Sequence, residues 1–348
     1  IGHESGLGAA NNTRFENVSI GYQSMYSVTT AHENTVIGTQ AAYSITTADN
    51  NTIIGRQAGY NLTSARYNVL IGDGAGYSLT EQNGNNENVM IGNYAGYSGD
   101  NTWPQATDNI YIGSGAGRYL DDGHSNVIIG KEAGKSDSGG GNTTQYDVFL
   151  GHKAGFNTTD TIRSVVIGNE AAYSMTVGSD SVIIGDQAGY TLTTTTKSVL
   201  IGKVAGYAIN STDADGTVAI GYEAGKAITT GVQNTVIGYE AMKTGNNIQY
   251  NTVIGYQAWT LAPAGANHNV VIGAGAGAGV SANSDSNIII GSAAGTGGGA
   301  SLMGVIAIGN NALNSTAANA QTGTIAIGHD ALTTLTSGAN NLAIGYEA

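Results

Sequence analysis

The chain has 348 residues, of which 54 are Gly, 2 are Pro and none is Cys; only 11% are charged, and the formal net charge is −13. Without Cys there is neither a disulfide framework nor a thiolate metal site, and so few Lys and Arg leave no basic footprint for nucleic acid. No apolar run approaches the ~18–20 residues that span a bilayer as a helix, so this segment is not expected to insert into a membrane.

One motif then runs the length of the chain. It reads NTVIGTQA at 34–41, NTIIGRQA at 51–58, NTVIGYEA at 234–241 and NTVIGYQA at 251–258. Anchored on its Gly it occurs twenty times, from Gly2 to Gly345, and ten of the nineteen intervals are 17 residues. Ile precedes the Gly except at Leu150, and Ala stands three residues after it except at Ser5 and Ser24. A fixed period without a shift in composition reads as a single continuous repeat array over 1–348. Both ends fall inside a motif, so the expectation is a length of a longer array.

Positions are numbered here from the motif Gly. Residues −3 to −1 are short β-branched runs such as Val165-Val166-Ile167 and Ile288-Ile289-Ile290, which read as strands. The Gly marks a bend that needs an unusual dihedral or a close backbone approach. Ala at +3, frequent Tyr at +5 (Tyr26, Tyr43, Tyr60, Tyr77) and an apolar residue at +7 alternate with period two, which reads as a second short strand. Every insertion lies between about +7 and −5, with the longest at 80–87, 99–108 and 136–146, so one corner of the coil carries loops. The fold expected is all-β: a parallel β-solenoid of about twenty coils of 17–21 residues, equivalent residues stacking one coil apart. Asn at −4 in twelve coils suits a hydrogen-bonded side-chain ladder along the stack.

Position −2 stands on the opposite strand face from −1 and −3, yet it too is apolar: Val36, Ile53, Leu70, Ile128, Val166, Ile183, Leu200, Val236, Val253, Val271 and Ile289. Both faces of the strand thus read as dry, and a single narrow solenoid cannot bury both, which leaves an exposed apolar stripe that a soluble monomer does not carry. The expectation is that these eleven residues form an oligomer interface, in a parallel trimer or dimer.

No constellation for catalysis, cofactor or metal emerges. Glu223 and Glu240 stack at +2, but Lys226 and Lys243 stand at +5 of the same coils and Gln257 continues the row, which reads as a solvated rung rather than an acid–base pair. The six His fall at unlike positions, whereas a metal needs converging ligands. The stretches 273–278 and 295–300 fit G-x-G-x-x-A but lie in the repeat's own Gly register, with no βαβ unit around them. Within the long loops, Trp103 beside Pro104 is the candidate receptor contact, since loops on a rigid scaffold carry recognition.

The N-(S/T)-V-A-I-G-x-x-A core, closest at Val218–Gly221, Ile306–Gly309, Ile325–Gly328 and Leu342–Gly345, resembles the head repeats of trimeric autotransporter adhesins. The longer form NTVIGYQAGYSLTT also resembles repeats of phage and other viral tail fibres. The resemblance implies a left-handed parallel β-roll, three chains to a fibre, on a bacterial surface or a virion. The function expected is therefore a non-enzymatic extracellular fibre segment, shaft or head, presenting loops or a distal tip to a host cell-surface protein or glycan. Alternatives are a self-assembling filament or surface-coat subunit and, further off, a polysaccharide-degrading β-helix enzyme or an ice-binding protein.

Overall fold

A computed structural model of the protein describes residues 1–8, 16–79, 86–98, 106–120, 122–136, 142–210, 215–280, 284–297, 299, 301–315 and 319–348. The chain forms two compact units, Ile1–Ser179 and Asp180–Ala348. Each is a parallel β-solenoid, and among the described residues there is no helix. In the first unit the −3 to −1 triplets Val18–Ile20, Thr35–Ile37, Thr52–Ile54 and Val69–Ile71 pair in parallel, residue on equivalent residue. The ladder runs on through Val89–Ile91, Ile110–Ile112, Val127–Ile129, Val148–Leu150 and Val165–Ile167. The second unit repeats the pattern from Val182–Ile184 to Leu342–Ile344, with Val253 opposite Val236 on one side and Val271 on the other.

The motif Gly makes the stacking possible. Gly55 has φ +139° and Gly238 φ +141°, a region closed to residues with a Cβ. A Cβ on Gly55 would also overlap the carbonyl oxygen of Gly72 in the next coil, and one on Gly238 that of Gly255. Both reasons expected of this position, the dihedral and the close approach, hold together.

The stretch from +2 to +7 is not the second strand that its alternation suggested. It is a run of tight turns in which +2 and +4 take left-handed φ, as at Gln57 (+56°) and Gly59 (+56°). Alternating handedness sends successive N–H groups to opposite neighbours. Gln57 N–H donates to Thr39 O of the coil before at 2.9 Å, while Gly59 and Asn61 donate to Ala75 and Tyr77 O of the coil after, at 2.9 and 3.0 Å. Backbone pairing thus continues through the turns, and a period-two pattern arises without extended backbone. The variable corner has strands of its own in some coils: Thr144–Gln145, Asp160–Ile162 and Val177–Ser179 in the first unit, and Leu302–Met303 with Gln321–Thr322 in the second.

The interior overturns the reading of position −2. Val36, Ile53, Leu70, Ile128, Val166, Ile183, Leu200, Val236, Val253 and Val271 are fully buried within the single chain, and Ile289 is 3% exposed. They are the core of each coil and form no surface stripe. A three-residue strand can turn either its middle or its two outer side chains inward, and a narrow coil has room for one row. Ala at +3 and the residue at +7, such as Ala41 and Ile45, close that row from the other side. Positions −3 and −1 therefore face outward, half-exposed along both units.

Asn at −4 forms the ladder its recurrence suggested. Asn34, Asn51 and Asn68 each donate from Nδ2 to the Oδ1 of the Asn one coil back at 3.0 Å. The row continues through Asn88, Asn109 and Asn126 at 3.1–3.2 Å. Each Oδ1 also takes a backbone N–H, as Asn34 does from Asn51 at 3.0 Å. In the second unit Asn234, Asn251, Asn269 and Asn287 repeat it at 2.8–3.1 Å. Buried amides are thus satisfied by their own copies, so a polar row can stand inside an apolar core.

Candidate functional site

With −2 inside, the outward rows are the surfaces on which function must act. The first is the flat face of the triplet ladder, two side chains wide. Position −1 is Ile in every coil except at Leu150, and −3 is Val, Thr, Ile or Leu; no charged residue stands at either from Val18 to Ile344. Stacked β-branched residues give each unit a continuous uncharged stripe. The apolar stripe expected from the sequence is present, one residue away from where it was placed.

The second surface is the aromatic row at +5. Tyr26, Tyr43 and Tyr60 stack at centroid distances of 4.8 and 5.0 Å with planes within 5°, and Tyr77 follows Tyr60 at 5.0 Å. In-register stacking accounts for this, since identical rings one coil apart meet face to face. The order breaks at Tyr97, tilted 39° from Tyr77, and the next two members of the row are Arg118 and Lys135. The Arg118 guanidinium lies over three rings, 5.3 Å from the centroids of Tyr94 and Tyr97 and 4.6 Å from Tyr119. Its Nη2 donates to Tyr119 Oη at 2.7 Å. One step on, Lys135 Nζ is 4.8 Å from the Phe156 ring, and Lys153 Nζ is 5.2 Å from it.

The stacked carboxylates of the second unit are closed by lysines. Lys226 reaches Glu223 at 2.8 Å, and Lys243 bridges Glu223 at 2.6 Å and Glu240 at 2.9 Å. Gln257 Nε2 donates to Glu240 at 2.8 Å. The hydrogen bond from Lys226 chiefly holds Glu223 below the usual carboxylate range, and that from Gln257 does the same for Glu240. Both acids stay charged, so their pKa values are not split as a general acid and base require. Among the described residues no group of three or more His, Asp or Glu converges as metal ligands.

One carboxylate is of another kind. Asp147 replaces Asn in the buried ladder: its N–H donates to Asn126 Oδ1 at 2.9 Å, and its carboxyl accepts from Ser164 N and Thr161 Oγ1, each at 2.7 Å. Burial pushes it up to about 6. No other charge enters the −4 row from Asn17 to Asn341.

Trp103 and Pro104 lie outside the described residues. The sequence reading missed the outward −3/−1 face, because it assigned the strand parity the wrong way round. It also missed Arg118 and Lys135, although reading the +5 row by register rather than by residue type finds them.

Repetition, the bend at Gly and the in-register ladders define a parallel β-solenoid repeat protein. No protein-family model matches the sequence, and no curated protein is significantly similar to it.

Proposed function

We propose that this chain is a structural, adhesive segment of an extracellular fibre, and that it associates with further copies of itself through the −3/−1 face. The observation that carries the reading is that uncharged face, which each unit presents while −2 already fills its interior. A continuous apolar patch of this kind marks an interaction surface, and a second copy offers rows of the same spacing, so side chains mesh along the whole stripe. Three chains around the stripe, each a left-handed coil, would match the trimeric adhesin heads and tail fibres that the motif resembles. The role is mechanical: unbroken backbone ladders supply stiffness, and loops of the variable corner or a distal tip meet a host surface.

Serine at Ile220, Ile237 and Ile254 should disperse the assembly while each coil keeps its amide protection. An assembly whose mass does not change would contradict the assignment of this face.

A further inference from the structure

Arg118 is the feature of the first unit that packing explains least. In a chain with a net charge of −13 it forms no ion pair among the described residues, and its Nε is buried without an acceptor. Three phenol rings surround the half-buried guanidinium, and its Nη2 donates to Tyr119 Oη. A guanidinium held between rings and left without an anion among the described residues presents its fork to an external carboxylate. The guanidinium fork matches that group bidentately, as an ammonium does not. Beside it the row stays cationic and aromatic, with Lys135 and Lys153 over Phe156 and the Glu132 carboxylate 3.7 and 3.9 Å from their ammonium groups.

We infer that the Arg118 cluster is a binding site for a carboxylated sugar within a saccharide chain. The guanidinium takes the carboxylate, and Tyr94, Tyr97 and Tyr119 offer ring faces to the sugar's C–H groups and hydroxyls to its oxygens, as amphipathic rings do at contact sites. Lys135, one coil further along, stands where the next sugar of the chain would pass. The inference rests on the adhesive reading above, for which it supplies a ligand class.

The test is calorimetric titration of the whole chain with trigalacturonic acid, its methyl ester and hexaglutamate. Trigalacturonic acid should bind, and the uncharged ester should not. Arg118→Gln should weaken binding about tenfold or more, and Arg118→Lys by less, because the charge stays while the fork is lost. Lys203→Gln, removing a cation already paired with Asp186 in the other unit, should change nothing. Amide exchange around Gly113 and Gly130 shows whether the variants keep the coils; if Arg118→Gln does not, Arg118→Lys and Tyr119→Phe decide. No binding, equal binding by every variant, or equal binding of hexaglutamate would overturn the inference. An assembled fibre that does not bind counts against this site alone; a monomer that binds counts against the fibre reading alone.

Discussion

Within the first unit, the coils from Asn34 to Tyr77 and those from Asn109 to Tyr173 share one backbone but differ in their rows. In the former, every −4 residue is Asn, every +5 residue is Tyr, and each ladder is met by its own copy. In the latter the −4 row passes from Asn126 to Asp147 and Ser164, and the +5 row from Arg118 through Lys135 to Phe156. Tyr111 also enters the core at −2, and the buried Ser164 hydroxyl has no hydrogen-bond partner among the described residues. An in-register stack is stable where neighbours are identical, because each polar group finds its complement one coil away. Where a row changes residue, groups are left that ladders do not satisfy. Stability resides in the uniform coils, and distinctive chemistry in the broken ones.

The largest expected effect lies in the feature both regions share. Gly55→Val places a Cβ against the backbone of Gly72 at a φ that Val cannot adopt, at a cost of roughly 4 kcal/mol or more. In a nearest-neighbour array the damage stays local. Amide exchange should accelerate around Gly38–Gly72 and stay slow near Gly151; uniform acceleration would mean that the coils do not behave as semi-independent units.

Next comes the uniform ladder. Asn51→Ala strips the acceptor from two donors of Asn68, its N–H and its Nδ2, costing ~2–4 kcal/mol. Ser164→Ala should cost far less, since the Ser164 hydroxyl has no hydrogen-bond partner among the described residues. Equal losses in denaturant melts would erase the distinction between the two regions.

The broken ladder should respond to pH in the sense opposite to ordinary acid denaturation. Asp147 rises from its ordinary 3.8 to about 6 on folding, through burial, against the hydrogen bonds from Ser164 and Thr161 and the nearby Arg163 charge. A raised carboxyl favours the protonated fold. Its coils are therefore most stable below about pH 4 and lose up to about 3 kcal/mol as pH rises to 6. Asp147→Asn restores the ladder and should abolish this slope while raising the neutral-pH melting temperature. The smallest effect is Tyr60→Leu in the uniform stack, about 1 kcal/mol, since a stacked pair adds little beyond its buried area.

Much of this was legible in the residues. The period, the bend at Gly, the Asn ladder and the Tyr row follow from identity repeated at fixed spacing. Parity did not, because a triplet such as Thr252-Val253-Ile254 is apolar enough on both faces to be placed either way. What decides is the width of the coil, a property of the closed turn rather than of the strand. The left-handed residues at +2 were hidden for another reason: Gln23, Gln40 and Glu240 carry no Gly to signal them, and their conformation is held by bonds to adjacent coils. The corner strands such as Asp160–Ile162 exist only by pairing with a neighbour, so no local pattern announces them.

The most direct test of the whole account is the solution mass of the intact chain beside two variants, Val253→Ser inside the coil and Ile254→Ser on its face, measured by sedimentation with amide exchange in parallel. The wild-type mass should be a multiple of 35.2 kDa. Ile254→Ser should loosen the assembly while its coil stays protected, whereas Val253→Ser should expose the coil to exchange. A wild-type chain sedimenting at 35.2 kDa, or the reverse assignment of the two variants, would contradict it.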